Sequence, residues 1–327
     1  MKKLVSILLC LCLALGAAGC KGAGSAEQKY VAVIVKSLNS DFFKNLQNGV
    51  DAAATEYNVR VTFEGPEHEE DYAAQNSLIQ KAVKNGASAI LLSAIDEEKS
   101  NLAVQQAVQS GVPVLTVDSD ISSPLVRAFI GTNSTSAGAA AAKAAVAALP
   151  NGQPVNIGLV NYTEETQNGK LREQGFRSAL QQYSNAKIVG SVTAQSSVAS
   201  ARSGAKQLLK EHPEINVLVG FNEWMTLGIG EAAKATIGDA VKAPGGRVHC
   251  VGFDTNVQSV AMLETGEMHA LIVQNPFAMG YLGVKNAAEQ AAEGAGEKQL
   301  IYTEVTTVTQ NNMFESNVQK LLFRFGS

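Results

Sequence analysis

Several polar side chains stand immediately after short apolar runs, and their types suit hydrogen bonding to a molecule rich in hydroxyl groups. Asp118, Ser119 and Asp120 follow Val114–Val117, and Asn222 and Glu223 follow Val217–Phe221. Asp254 follows Val248–Phe253, and Gln274 and Asn275 follow Ala270–Val273. The segment after Val31–Val35 adds Ser37, Asn39, Ser40, Asp41, Phe42 and Phe43. A carboxylate accepts from two neighbouring hydroxyls at once, whereas a carboxamide accepts from one and donates to another. Flat aromatic faces cover the ring C–H groups of a sugar while polar groups surround its rim. Phe42, Phe43, Phe221, Trp224 and Phe253 all lie near these positions. Each residue also suits an ordinary role. Ser40 or Asp41 fits a helix N-cap, Asp118 and Asp254 fit caps of the helices that follow, Asn222 fits a tight turn, and Trp224 fits a core.

The elements that would position these groups are strands alternating with helices. Val31–Val35 is short and apolar enough for a strand buried on both faces, and Phe43, Leu46, Val50 and Ala53 then fall on one face of a helix. Further strand-like runs are Val59–Phe63, Ala89–Leu92, Val114–Val117, Val126–Ile130, Val155–Val160, Ile188–Val192, Val217–Phe221, Val248–Phe253 and Ala270–Val273. Helical patterns separate them at Tyr72–Lys84, Leu102–Gln109, Lys170–Tyr183, Arg202–Lys210, Met225–Ala235 and Val257–Glu264. Strands recur about every thirty residues, the length of a βαβ unit. The alternation runs through two halves with Gly131–Gly138 between them, which predicts an α/β chain of two doubly wound, Rossmann-like lobes with parallel sheets. In such sheets ligands bind outside the carboxyl ends of the strands, where the polar groups stand.

The amino terminus reads as a targeting segment. Lys2 and Lys3 precede the apolar run Leu4–Leu15, and Ala17, Ala18 and Gly19 lead to Cys20. The run is too short for a typical membrane span. Small residues before a cysteine have the pattern of a bacterial lipoprotein signal, with residues 1–19 removed, Cys20 acylated and residues 20–29 a small, polar tether. Cys10 and Cys12 lie inside the apolar run, so Cys250 alone would remain in the body, a small buried hydrophobe with no disulfide partner. His68, His212, His249 and His269 lack ligand spacing, so no metal site is expected. A net charge of -4 without a basic patch argues against a nucleic-acid partner.

Five segments resemble bacterial ribose- and galactose-type periplasmic binding proteins. Ser37–Phe43, SLNSDFF, is similar to their first-strand loop, and Thr116–Asp120, TVDSD, to the end of their fourth strand. Gly220–Gly228, GFNEWMTLG, resembles their N-D/E-x-x-A/T-L-G motif, Val251–Asp254 their G-F/Y-D motif, and Val273–Pro276 their hinge glutamine segment. The resemblance extends along the body of the chain in order and spacing. It implies two lobes, 30–132 plus 275–303 and 133–274 plus 304–310, joined by a three-segment hinge, with a tail at 311–327. It also implies ligand capture by hinge closure, with Phe42, Phe43, Asp118, Asn222, Asp254 and Gln274 at binding positions. Two arginines of the ribose pattern are missing: Ser119 stands where one follows the fourth-strand aspartate, and Lys170 or Arg172 stands where the other begins the sixth helix. Asp41 replaces a proline. These departures imply a sugar or polyol other than ribose. The implied partners are that ligand, an ABC transporter permease, a membrane reached through the lipid anchor, and alternatively a chemoreceptor or sensor kinase. The protein is expected to act as an extracytoplasmic, membrane-anchored monomer without a cofactor or chemistry on its ligand.

Two rival readings are testable on the sequence. Gly228, Gly230 and Ala233 fit a loose G-x-G-x-x-A dinucleotide pattern, but Trp224, Met225 and Leu227 place Gly228 inside a helix rather than in the turn after the strand. Close packing by small residues is the better expectation. Sugar-responsive repressors share this lobe pair but carry an amino-terminal helix-turn-helix, where this chain has its leader and tether.

Overall fold

The computed structural model describes residues 28–162, 165–236, 247–290 and 297–322. The leader, including Cys20, and most of the tether lie outside these residues. Among the described residues twelve strands follow in chain order: β1 Tyr30–Ile34, β2 Arg60–Glu64, β3 Ala89–Leu92, β4 Val114–Val117, β5 Ala128–Thr132, β6 Val155–Asn161, β7 Ala186–Thr193, β8 Val217–Gly220, β9 His249–Phe253, β10 Ala270–Val273, β11 Gln299–Thr303 and β12 Thr306–Val308. The helices are α1 Asp41–Glu56, α2 Tyr72–Lys84, α3 Asn101–Gln109, α4 Ser134–Ala147, α5 Gln167–Leu180, α6 Val198–Glu211, α7 Glu223–Thr236, α8 Val257–Glu264, α9 Pro276–Gln290 and α10 Ser316–Leu322.

The strands form two sheets of six, in the orders β11-β5-β4-β3-β1-β2 and β12-β10-β9-β8-β6-β7. The orders are equivalent position by position. One difference separates them: β11 runs parallel to β5, whereas β12 runs antiparallel to β10. The chain passes to the second sheet between β5 and β6, returns after β10 to place β11 in the first sheet, and crosses again into β12.

Strands β1, β3, β4, β8 and β10 are buried at every residue, as continuous apolar runs covered on both faces must be. Side chains alternate across the first sheet. Val31, Val33 and Val35 pack with Phe43, Leu46 and Val284 from α1 and α9, while Ala32 and Ile34 pack with Ile79 and Val104 from α2 and α3.

Each lobe contains a helix pair in which backbone meets backbone. A Cβ added at Gly49 in α1 or Gly280 in α9 would collide with the carbonyl oxygen of Phe277 or Leu46. Gly138 in α4 and Gly175 in α5 stand in the same relation to Arg172 and Thr135. The lone cysteine among the described residues, Cys250 on β9, is wholly buried, and burial pushes its thiol up to about 12.

The first strand begins one residue earlier than its apolar run, and β5 begins two residues later than Val126. Helix α4 has no amphipathic period, because its alanines are small enough to be buried on several sides.

Candidate ligand site between the lobes

The carboxyl ends of the strands in both lobes converge on a shared cavity. From the first lobe it is lined by Phe42 and Phe43, at the start of α1, and by Asp118, which follows β4. From the second it is lined by Arg172 in α5, Asn222 and Trp224 around the start of α7, Asp254 after β9 and Gln274 after β10. Phe42 and Phe43 meet edge to face, with ring centroids 5.2 Å apart. Asn222 Oδ1 accepts from the Met225 N–H at 2.9 Å, so the residue caps α7 while facing the cavity.

The remaining sequence-predicted residues lie outside this wall. Ser37 donates to Glu67 O and accepts from the Asn39 N–H, and Asn39 donates to the same carbonyl, so both serve the turn. The Asp41 carboxylate pairs with Lys44 at 3.1 Å on an exposed face. Ser119 is fully buried but is not part of the cavity wall. Lys170 lies at the surface in an ion pair with Glu97 across the lobes. Of the two candidates for the arginine position, Arg172 therefore reaches the cavity and Lys170 does not. Two residues of helix rotate a side chain by about 200°, which separates them onto opposite faces.

The structure also brings in residues that sequence reasoning passed over. Lys36, directly after the first apolar run, is 4% exposed and forms an ion pair with Asp118 at 3.1 Å. Burial disfavours its charge, but Asp118, then Tyr162 and Glu69, outweigh it and hold the ammonium above its ordinary value. Ser93 Oγ donates to Asp118 Oδ2 at 3.0 Å, and Asn168 Nδ2 reaches Asp118 Oδ1 from the other lobe at 3.1 Å. Asn168 in turn accepts from the Tyr162 hydroxyl at 2.6 Å, and burial pushes that phenol up to about 12, so it keeps its proton. Glu69, from the loop after β2, also lines the cavity, and burial raises its pKa against the pull of Lys36.

On the second lobe, Gln274 Nε2 donates to Asp254 Oδ1 at 2.6 Å. Burial pushes the Asp254 carboxyl up to about 6, opposed by the Arg172 charge and the Gln274 hydrogen bond. Arg172 Nη1 donates to Phe221 O at 2.7 Å, and its guanidinium lies 4.7 Å from the Phe253 ring centroid. Among the described residues, Arg172 Nε and Nη2 and Gln274 Oε1 are buried without a hydrogen-bond partner. An unpaired buried polar group costs about 1–3 kcal/mol, so these atoms favour a ligand that supplies acceptors beside the guanidinium edge and a donor beside the amide.

Among the described residues, no group of three or more His, Cys, Asp or Glu side chains is placed to hold a metal ion. Gly228 and Gly230 sit inside α7, where a Cβ would collide with Ala201 on α6 and Met262 on α8. Their small size serves helix packing, which leaves no phosphate turn at this position.

A family model described as a periplasmic binding protein domain matches residues 31–298. The chain belongs to the periplasmic binding protein family. Among curated relatives, this periplasmic binding protein is 24% identical to the ribose import binding protein of Bacillus subtilis over 320 residues, 95% of this chain and 100% of the relative. It is 28% identical to the D-apiose import binding protein of Paraburkholderia graminis over 287 residues, 85% and 86% of the two chains. Among solved structures, an ABC transporter solute binding protein from Agrobacterium vitis with bound D-fucose superposes with a TM-score of 0.82 at 30% identity, covering 90% of this chain and 100% of that one. These relatives are binding proteins, not enzymes.

Proposed function

We propose that this periplasmic binding protein captures a small, neutral sugar or polyol between its lobes and delivers it to the permease of an ABC importer, leaving the ligand chemically unchanged. The observation that carries this reading is the set of buried, unpartnered donors and acceptor on Arg172 and Gln274, set in a cavity walled by Phe42, Phe43 and Trp224. A guanidinium edge presents two parallel donors that match adjacent hydroxyl oxygens, and the amide oxygen accepts from a third hydroxyl. Lys36, Asp118, Asn222 and Asp254 complete the polar rim in this assignment. The names of the ribose, apiose and fucose relatives support a monosaccharide-sized ligand.

In this reading the lobes comprise 30–132 plus 275–303 and 133–274 plus 304–310, hinged at the crossings. The protein works as a monomer held outside the cytoplasmic membrane by acylated Cys20. Among the described residues no helix is long and apolar enough to cross a membrane. Cys20→Ser is expected to release the protein from the membrane fraction. The test of function is a thermal-shift screen against pentoses, hexoses and polyols, followed by calorimetric titration and recovery of the ligand. A sugar recovered intact after tight binding supports the proposal; turnover of the sugar, or binding of no compound in the screen, rejects it.

A further inference from the structure

Four carboxylates line the cavity, Glu69 and Asp118 from the first lobe and Glu223 and Asp254 from the second. An ionised carboxylate offers about four acceptor sites, two on each oxygen. At Glu223 the protein itself fills them. Its Oε2 accepts from Ser40 Oγ at 2.7 Å and from the Phe42 N–H at 3.2 Å. Its Oε1 accepts from the Asp41 N–H at 3.4 Å and from Asn256 Nδ2 at 3.0 Å. Asp118 is met by Lys36, Ser93 and Asn168. Neither keeps much capacity for a ligand hydroxyl. Asp254, which accepts from Gln274, and Glu69 remain.

Glu69 is 8% exposed and belongs to the loop between β2 and α2. That loop is tied down on either side of it. Glu67 O accepts from Ser37 Oγ and Asn39 Nδ2, and Asp71 caps α2 by accepting from the Ala74 N–H at 2.8 Å. The neighbouring Glu70 Oε1 accepts from the Ser196 N–H of the second lobe at 2.8 Å. Ser196 and Trp224 stand beside the Glu69 carboxyl from that lobe, and Lys36 acts on it through its charge. A serine hydroxyl and an indole N–H have one donor each, so at least two of the Glu69 acceptor sites stay open. A site built to accept from a ligand hydroxyl rejects the analogue that lacks it far more strongly than an apolar pocket rejects a missing methylene.

We infer that Glu69 is a ligand-binding residue that sets specificity: with Asp254 it holds the sugar between two carboxylates, one on each lobe, and so selects a ligand with hydroxyl donors at both ends over its deoxy analogues. The inference rests on the proposed capture of a sugar. Calorimetric titration compares wild type with Glu69→Ala and Glu69→Gln, each checked for folding by urea unfolding. The probes are D-ribose, D-xylose, D-glucose, D-galactose and D-allose, then the monodeoxy analogues of whichever binds tightest. Wild type is expected to bind at least one analogue tenfold or more weaker than the parent sugar. Glu69→Ala should weaken the parent sugar by that factor and leave that analogue within about twofold of its wild-type affinity, so that the discrimination collapses. Glu69→Gln keeps one acceptor oxygen and should fall between the two. Glu70→Ala, outside the cavity wall, should leave the ratio of sugar to analogue unchanged. Equal losses for the sugar and every analogue in the Glu69 variants would mark a structural role and overturn the inference. Binding that Glu69→Ala leaves untouched rejects this inference alone, whereas a wild type that binds none of the sugars rejects the proposed function and this inference with it. If Glu69→Ala does not fold, the nearly isosteric Glu69→Gln decides.

Discussion

Asp118 and Asp254 are equivalent residues of the two lobes. Each follows the fourth strand of its lobe, each has a left-handed backbone with φ of 62° and 65°, and each N–H donates at 3.0 Å to the next strand, at Ile130 O and Ile272 O. Aspartate is among the few residues that accept this conformation readily. Their side chains then diverge. Asp118 is engaged by Lys36, Ser93 and Asn168, whereas Asp254 meets Gln274 and the charge of Arg172.

Asp254 is thus the aspartate with more capacity for a ligand. A hydrogen bond to a charged group is worth about 1.5–3 kcal/mol, or roughly ten- to a hundredfold in affinity. Asp254→Ala is expected to weaken sugar binding by about that factor in calorimetric titration. Asp254→Asn, which tolerates the same backbone, should bind between the two. A loss in the alanine variant that asparagine fully restores would trace the effect to the backbone instead of the carboxylate.

The raised Asp254 pKa gives the binding a pH dependence. Between the ordinary 3.8 and about 6, the folded protein holds a proton that the unfolded chain has released. This group's contribution to ligand-free stability therefore falls as pH rises through that window. A ligand hydroxyl donating to Asp254 favours the ionised form and draws the pKa back down. Affinity should accordingly increase from pH 5 to pH 7, with proton release on binding near pH 6. Titrations in buffers of different ionisation enthalpy measure that release, and proton uptake would contradict it.

Lys36 and Asp118 form a buried ion pair with side-chain exposures of 5% and 3%. Removing one partner of such a pair costs about 3–5 kcal/mol, because the other charge stays buried. Lys36→Met should lower unfolding stability in urea by about that amount, and Lys36→Met with Asp118→Asn should recover part of it. Additive losses in the double variant would show that the two charges do not support each other.

The glycine contacts between helices predict a cost for adding a single carbon. Gly175→Ala brings a Cβ onto the Thr135 carbonyl, and Gly49→Ala onto that of Phe277. Overpacking of this kind costs about 1–3 kcal/mol. Gly175→Ala should also weaken ligand binding, since α5 carries Arg172, and urea unfolding with titration separates the two effects.

Much of the fold was readable because β1, β3, β4, β8 and β10 are apolar runs bounded by polar turns. Helix α4 was not, since an alanine-rich segment carries no amphipathic period, and neither was β11, an edge strand with Leu300 and Tyr302 exposed. The strand-end rule located Asp118, Asn222, Asp254 and Gln274, all of which face one cavity. Lys36 left a faint signal, a charge directly after a buried strand. Glu69 left none, because it sits in the acidic stretch Glu67–Asp71, which reads as a solvated loop.

The chemistry of Cys250 makes the molecule convenient to watch at work. Thiol reagents need access and an ionisable sulfur, and a side chain wholly enclosed in β9 with a pKa near 12 offers neither. In a chain starting at residue 29, a cysteine introduced at Leu38, 44% exposed, or at Val257, 84% exposed, would therefore be the single reactive thiol. Both positions lie beside the loops that bear site residues, one in each lobe. An environment-sensitive dye attached there would turn ligand capture into an optical signal, with the native strand that leads to Asp254 left unaltered.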